Sequence, residues 1–315
     1  MIINFKSSTK KNIIIWLAIF FFNLFSSFTH IAGKEAVMQI APGNIAFFRS
    51  ILAVFVLWIM MRVSGKTIFL ERVDSFRFVI LGALAVPLNQ LAFITGLQYT
   101  PVSHPALFYA TTSAWVLIIS VFIGVERLRW WKWVGVGLSI VGVFILMGDK
   151  LLTFGNKTIL GDMILLFAVL SWSLYTVICK PIVERYGALE TTFLVMSFGA
   201  LLYFPFGLFF TVTGDFSSAS INAWLGIIYL GIMTSGVAYF LWIWLLERIR
   251  PSQVAVVASA QPPTTVLLAW LVFGEIPSLK LVFSVIIVLS GIILMVGYGG
   301  SKRGADTEGS TSNNE

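Results

Sequence analysis

Long apolar segments separated by short polar stretches make up most of this sequence. Ten segments carry few or no charges, and Arg49 is the one charged residue inside them. A helix that crosses about 30 Å of hydrocarbon needs about 20 apolar residues, and the segments reach that length, the two shortest with help from their flanks. The pattern predicts an all-α membrane protein with ten transmembrane helices, at residues 13–33, 43–61, 78–98, 102–125, 133–148, 163–179, 191–213, 223–246, 252–273 and 281–299.

Composition supports this class. The chain is 58% hydrophobic and 11% charged, whereas a soluble domain has about 25% charged residues. The single Cys179 excludes an internal disulfide, and the two histidines form no cluster with metal-ligand spacing. No Gly-rich phosphate loop and no hydrolase or metalloprotease motif appears. We therefore expect no enzyme, no metal and no cofactor.

The basic residues predict an orientation. With a cytoplasmic N-terminus, 16 of the 21 Lys and Arg residues fall on the cytoplasmic side and four on the other, with Arg49 within a span. Such a bias is what positive-inside insertion requires. The net charge of +7 is thus explained by topology, and we expect no nucleic-acid partner.

The ends of the chain should lie in the cytoplasm of a bacterium, with the spans in its inner membrane. Residues 1–12 form a basic N-terminal segment, and the apolar run 13–33 is longer than a signal-peptide core and lacks a cleavage site. We therefore interpret it as an uncleaved first helix. Residues 300–315 are polar and predict a disordered tail.

The two halves of the chain resemble each other. At a shift of 150 residues Pro101 aligns with Pro251, and at a shift of 146 Lys34 aligns with Lys180. The halves, 13–148 and 161–299, hold five segments each. Because five is odd, the second half must enter the membrane upside-down, which gives the inverted five-helix repeats common in secondary transporters. Duplication without transport is the alternative.

A local motif resembles a known family. Gly124-Val125-Glu126-Arg127-Leu128, followed by Gly135 and Gly142, is similar to the signature of EamA-domain proteins of the drug/metabolite transporter superfamily. The second copy, Gly274-Glu275-Ile276-Pro277 with Gly291, has Ile276 where the family usually has Arg. Phe48-Arg49 matches the family's usual Arg near the start of the second helix. The resemblance covers about 13–299 and implies a ten-helix, exporter-like carrier of small metabolites.

Charged residues and prolines suggest structural or gating roles. Arg49 could anchor a substrate carboxylate, but we favour a structural Arg that either snorkels toward the membrane surface or forms an ion pair, for example with Glu35 or Glu275. Glu126 and Glu275 each precede the next helix, where negative charge is stabilised, so we expect them to orient the adjoining turns. The pair Pro262-Pro263 should kink or break the ninth helix.

Polar and aromatic residues at helical spacing predict a central cavity. Polar side chains in lipid need partners or water, so these faces should turn inward. The alternative is hydrogen bonding between packed helices. The candidate substrate-binding residues are Asn23, Ser27, His30, Asn89, Gln90, Phe93, His104, Phe108, Thr112, Trp115, Trp172, Tyr175, Tyr239, Trp242 and Gln261.

The sequence thus favours a secondary transporter that exports small neutral or zwitterionic metabolites, such as amino acids, by alternating access. A phosphorylated cargo would need paired cations, which the spans lack. Coupling of transport to protons could involve His30 or His104. Facilitated diffusion and exchange without an ion gradient are equal alternatives. The alternatives are a lipid-carrier flippase and a non-transporting scaffold or enzyme. Small residues on the fifth and tenth segments should pack closely, within one protomer or in a homodimer.

Overall fold

A computed structural model describes residues 9–67, 70–125, 130–151, 157–257 and 261–297. Within these ranges the chain is almost entirely helical and contains no β-strand. Residues 1–8, the predicted tail 300–315 and Glu126 lie outside the described residues.

The described helices follow the apolar segments. Among the described residues, eight apolar stretches are long enough to cross a membrane, namely Ile13–Val37, Pro42–Val63, Arg72–Tyr99, Ser103–Phe122, Lys157–Tyr186, Ala188–Thr213, Ile221–Arg248 and Pro251–Phe273, while Trp130–Leu146 and Leu279–Leu294 are shorter. The chain is therefore a multi-pass helical membrane protein. The helices are α1 (Thr9–Val37), α2 (Pro42–Val63), α3 (Arg72–Tyr99), α4 (Ser103–Phe122), α5 (Trp130–Leu151), α6 (Lys157–Tyr186), α7 (Ala188–Thr213), α8 (Ile221–Arg248), α9 (Pro251–Val257), α10 (Gln261–Phe273) and α11 (Leu279–Gly297).

Two helices contain a wider, π-helical segment. In α3 it spans Val86–Gln90, and in α8 it spans Leu230–Ala238. Pro87 lies in the first of them, where its missing N–H removes one regular helical hydrogen bond. Such segments often occur at functional sites, and here both supply residues to the central cavity described below.

The proline pair lies at the beginning of α10. Pro262 and Pro263 follow Gln261, the first described residue after a gap. Residues 258–260, which join α9 to α10, lie outside the described residues, so a kink or break of the ninth segment at the proline pair stays a prediction.

Glycines permit two close helix crossings. A Cβ at Gly82 of α3 would lie 2.5 Å from the backbone nitrogen of Gly199 in α7, and one at Gly291 of α11 would lie 2.5 Å from the carbonyl oxygen of Gly135 in α5. The backbones of these helices therefore touch. The predicted close packing of small residues on the fifth and tenth segments is confirmed, and the two helices pack on each other within the chain.

The remaining helices surround the centre of the bundle. Helix α1 packs on α8 and α10, α2 packs on α7 and α8, and α6 packs on α3 and α4. The α5–α11 pair packs chiefly on itself and stands to one side. The central helices can therefore present side chains to a shared interior space.

Candidate functional site

A cavity lies among these central helices, with about 70 Å³ of space that the centre of a water molecule can occupy. Its walls combine aromatic rings, neutral hydrogen-bonding groups and a single guanidinium group. The residues that line it are Phe22, Ser26, Thr29 and His30 of α1, Arg49 of α2, Asn89 and Phe93 of α3, Tyr109 of α4, Trp172 of α6, Thr234, Ala238 and Tyr239 of α8, and Gln261 of α10.

Among the described residues, Arg49 is the one lining residue that carries a formal positive charge at every physiological pH. Its side chain is 2% exposed. Nε and Nη2 donate to the hydroxyl oxygen of Ser235, at 3.0 and 2.9 Å. Nη1 is buried without a hydrogen-bond partner among the described residues. The predicted ion pair with Glu35 or Glu275 is wrong, because the group that Arg49 meets is a neutral hydroxyl.

Asn89 connects three sides of the cavity. Its Nδ2 donates to the hydroxyl of Tyr109 at 2.7 Å and to the carbonyl oxygen of Ala168 at 2.9 Å. Its Oδ1 accepts from the hydroxyl of Tyr239 at 3.0 Å. One amide in the π-helical segment of α3 therefore fixes a tyrosine of α4, a tyrosine of α8 and the backbone of α6.

Aromatic rings form another part of the wall. The ring centroid of Trp172 lies 4.8 Å from that of Tyr239, 5.1 Å from Tyr175 and 5.3 Å from Trp242. Tyr175 and Trp242 are fully buried, and Trp242 also donates to the hydroxyl of Thr176. Trp172 and Tyr239 thus face the cavity, while Tyr175 and Trp242 support them from the core.

Six of the predicted substrate-binding residues line the cavity, one or two from each of five helices. They are His30, Asn89, Phe93, Trp172, Tyr239 and Gln261. Arg49, which the sequence suggested as a structural residue, lines it as well. Whether any of these residues contacts a substrate stays a prediction.

The other nine predicted residues lie elsewhere. Most of them meet helices that pack around their own helix, because a helix inside a bundle buries more than one face. Asn23 donates to the carbonyl oxygen of Ile19 in its own helix, Gln90 lies beside the sulfur of Met196, and His104 lies beside Asp162. The others are packed among neighbouring side chains, namely Tyr175, Trp242, Ser27, Phe108, Thr112 and Trp115.

A buried hydrogen bond between a histidine and an aspartate joins α4 to α6. Nδ1 of His104 lies 2.7 Å from Oδ1 of Asp162, and both side chains are almost completely buried. The second carboxylate oxygen of Asp162 has no partner among the described residues. The sequence interpretation began the sixth span at residue 163, but α6 begins at Lys157, so this carboxylate lies inside the helix.

Glu275 makes a contact that the sequence did not predict. Its Oε1 accepts a hydrogen bond of 3.1 Å from the backbone N–H of Val102, immediately before α4. It therefore lies at the start of α4, where a helix start favours negative charge; its role in orienting the adjoining turn stays a prediction. Glu126, its counterpart in the first half, lies outside the described residues.

Several lining residues were missed by the sequence interpretation. They are Phe22, Ser26, Thr29, Tyr109, Thr234 and Ala238. Thr29 and Thr234 share a hydrogen bond of 2.8 Å between their hydroxyls, which joins α1 to α8. The sequence did contain one indication of the missed residues in α1: positions 22, 26 and 29 have helical spacing, which places them on one face of the helix.

Known proteins are similar to this chain in sequence and in fold. The sequence profile described as the EamA-like transporter family matches residues 13–148 and again residues 159–297. The chain belongs to the EamA-like transporter family. Like other EamA proteins it is a membrane transporter with multiple apolar helices, and the motif resemblance noted in the sequence is confirmed.

Individual relatives of this EamA transporter are distant. An uncharacterized transporter of Clostridium kluyveri is 25% identical over 295 residues, which cover 90% of this chain and 92% of the relative. The uncharacterized transporter YoaV of Bacillus subtilis is 19% identical, over 89% and 96% of the two chains. A probable terminal-alkyne amino-acid exporter of Streptantibioticus cattleyicolor is 23% identical, over 75% and 78%. A crystal structure with a TM-score of 0.68 and 18% identity covers 90% of this chain and 96% of its own, and shows the same fold.

Proposed function

We propose that this EamA protein is a secondary transporter that exports small neutral or zwitterionic metabolites, such as amino acids, by alternating access. The observation that carries the proposal is the central cavity, to which helices from both matched regions contribute. Neutral polar groups and aromatic rings suit a small organic solute. The amino-acid exporter among the relatives supports this substrate class. The proposed place is a bacterial inner membrane, with both termini in the cytoplasm.

We also propose that ten helices form two inverted repeats. The two profile matches support this plan, and so do two pairs of equivalent contacts. Nζ of Lys34 in α1 donates to the carbonyl oxygens of Leu97 and Thr100 at the end of α3. Nζ of Lys180 in α6 donates to those of Leu246 and Glu247 at the end of α8. The sequence alignment had paired these two lysines.

The π-helical segments add to the repeat argument. They lie in the third helix of each proposed half, at Val86–Gln90 and Leu230–Ala238. The shift in residue number between the two segments is close to the shift that aligns the two halves of the sequence. Each segment also supplies lining residues to the cavity. Two halves that share a site in this way can open it to one side at a time.

Labelling of single cysteines tests the inverted plan. Ser7→Cys and Lys157→Cys variants should react from opposite sides of the membrane, because five crossings separate the two positions. A membrane-impermeant maleimide applied to intact cells should modify the Lys157→Cys variant alone, and permeabilisation should expose the Ser7→Cys variant. The native Cys179 is fully buried and serves as the unmodified background. Labelling of both variants from the same side would contradict the inverted repeat.

Flux into liposomes tests the transport function. Vesicles with purified protein and preloaded with amino acids should take up at least one labelled amino acid faster than protein-free vesicles. A Trp172→Ala variant should lose at least about tenfold in apparent affinity, equivalent to about 1.4 kcal/mol, because an aromatic wall of the cavity is removed. Trp270→Ala is the matched control, since Trp270 is 52% exposed on the bundle surface.

The same assay distinguishes the alternatives. Lipid-linked sugars that compete more strongly than amino acids would favour the flippase. Absence of any solute flux with correctly folded protein would favour a scaffold and would contradict the proposal.

A further inference from the structure

The charge balance of the cavity is unusual. Arg49 is buried, and no side chain that lines the cavity in the described part of the chain carries a carboxylate. Its one hydrogen-bonding partner among the described residues, Ser235, is neutral. A buried cation is normally paired, because its removal from water is otherwise uncompensated. Two nitrogens of the guanidinium group therefore have a partner, and the third, Nη1, is buried without one among the described residues, which leaves it for a ligand to satisfy.

We propose that Arg49 binds a carboxylate of the transported substrate through Nη1, so that the cargo is a small organic acid with one carboxylate and a flat or apolar body, amino acids included. The inference rests on the proposed transport function; it restricts the zwitterionic substrates to those with a carboxylate and adds monocarboxylate anions to them. The substrate supplies the missing negative charge, and the protein supplies the positive one. A charge-assisted hydrogen bond of this kind is roughly twice as strong as a neutral one.

A second donor lies in the same cavity. The Tyr109 hydroxyl oxygen accepts a hydrogen bond from Asn89, so its own proton is available to another acceptor. Tyr109 and Arg49 both line the cavity. Asn89 thereby orients a neutral donor that can assist the guanidinium group in holding an oxyanion.

The single charge also selects against other ligands. A phosphate monoester carries a charge of about −1.5 to −2 at neutral pH, which one guanidinium group cannot balance. A purely cationic amine would meet a like charge. The ammonium of an amino acid finds no carboxylate in the described wall, but it can face the rings of Trp172 and Tyr239, which attract cations. The carboxylate is therefore the group that the site requires, and the ammonium is tolerated.

Three compounds that share one ring test the inference. Phenylalanine, 3-phenylpropionate and phenethylamine differ in whether they carry both charged groups, the carboxylate alone or the ammonium alone. Their affinities for purified protein follow from thermal shifts at increasing concentration. Both carboxylates should bind at least tenfold more tightly than the amine. Equal binding of the amine, or no measurable binding of either carboxylate, would overturn the inference.

Variants of Arg49 assign the preference to this residue. Arg49→Gln should remove the difference between acid and amine, and Arg49→Lys should retain part of it because the positive charge stays. Arg62→Gln, at the exposed end of the same helix, is the matched control and should retain the full preference. If Arg49→Gln keeps the preference, the inference is wrong. Should that variant not fold, the Arg49→Lys result and the comparison of ligands on the unaltered protein still decide.

Failure of the inference is distinguishable from failure of the proposed function. Arg49-dependent binding of carboxylates without flux in liposomes would contradict transport and support the binding site. Flux that phenethylamine inhibits as strongly as 3-phenylpropionate would support transport and overturn the role of Arg49.

Discussion

An Asn89→Leu variant is expected to lose transport by about a hundredfold. The side chains are similar in size, but leucine can neither donate to Tyr109 and Ala168 nor accept from Tyr239. Each hydrogen bond contributes about 0.5–1.5 kcal/mol, and a buried group left without a partner costs about 1–3 kcal/mol. A total near 3 kcal/mol corresponds to about a hundredfold. Initial rates of exchange in liposomes, at equal amounts of reconstituted protein, measure the loss.

A matched substitution separates this effect from general damage. Asn23→Leu removes an amide from α1 that bonds only the backbone of its own helix among the described residues, at Ile19, and it should retain most of the transport. Tyr239→Phe should give an intermediate loss, because it removes one hydroxyl from the network. If Asn89→Leu kept more than a third of the normal rate, the network would not be needed to shape the cavity.

His104→Ala is expected to destabilise the protein by about 3–5 kcal/mol, since the fully buried carboxyl group of Asp162 loses its hydrogen-bonding partner. Asp162 is fully buried, and its second oxygen already lacks a partner among the described residues. A second substitution, Asp162→Asn, should recover part of the loss, because a neutral amide is easier to bury than a carboxylate. Unfolding in detergent, followed by intrinsic fluorescence, measures both changes.

An exposed pair of similar geometry provides the control. Nζ of Lys66 lies 2.7 Å from Oε2 of Glu190, but the lysine side chain is 42% exposed. Lys66→Ala should therefore cost no more than about 1 kcal/mol. If His104→Ala cost as little, or if Asp162→Asn destabilised it further, the buried pair would not be a source of stability. The pH profile of transport by His104→Ala tests coupling separately, since an unchanged profile would exclude that role.

Much of the helical fold could be predicted because the thickness of the bilayer sets a minimum length for each transmembrane helix. The apolar runs had to span a fixed thickness, and the described helices follow them closely. The extent of each helix was harder. Helix α6 begins six residues before its predicted span, because Asp162 interrupts the apolar run although His104 provides it with a hydrogen-bonding partner within the bundle. A partner so distant in sequence cannot be predicted from local composition.

For the helices that line the cavity, the spacing of the lining residues was predicted better than the face of the helix on which they lie. On α1 the predicted stripe was 23, 27 and 30, whereas 22, 26, 29 and 30 line the cavity. A shift of one residue turns a helix by about 100°, which is enough to miss a wall. On α8 the π-helical segment Leu230–Ala238 changes the angle per residue, so regular helical spacing does not predict that Thr234 joins Tyr239 there.

Arg49 was assigned the wrong environment for a related reason. The sequence contains acidic residues that could have neutralised it, and only the packing of α2 against α8 shows that Ser235 takes their place. The lack of a counter-charge among the described residues is a property of the assembled bundle and leaves no mark on the sequence around residue 49.

The unneutralised guanidinium group also affects the membrane in which the protein sits. Any transporter risks letting small ions through while it is empty. At about 6 Å from Arg49, with an effective dielectric constant of about 20, a monovalent cation is repelled by about 3 kcal/mol. Fixed positive charges exclude protons and metal cations from water-filled pores in this way. We therefore expect Arg49 to oppose leakage of sodium ions and protons through the unoccupied bundle, and so to help preserve the ion gradients of the cell.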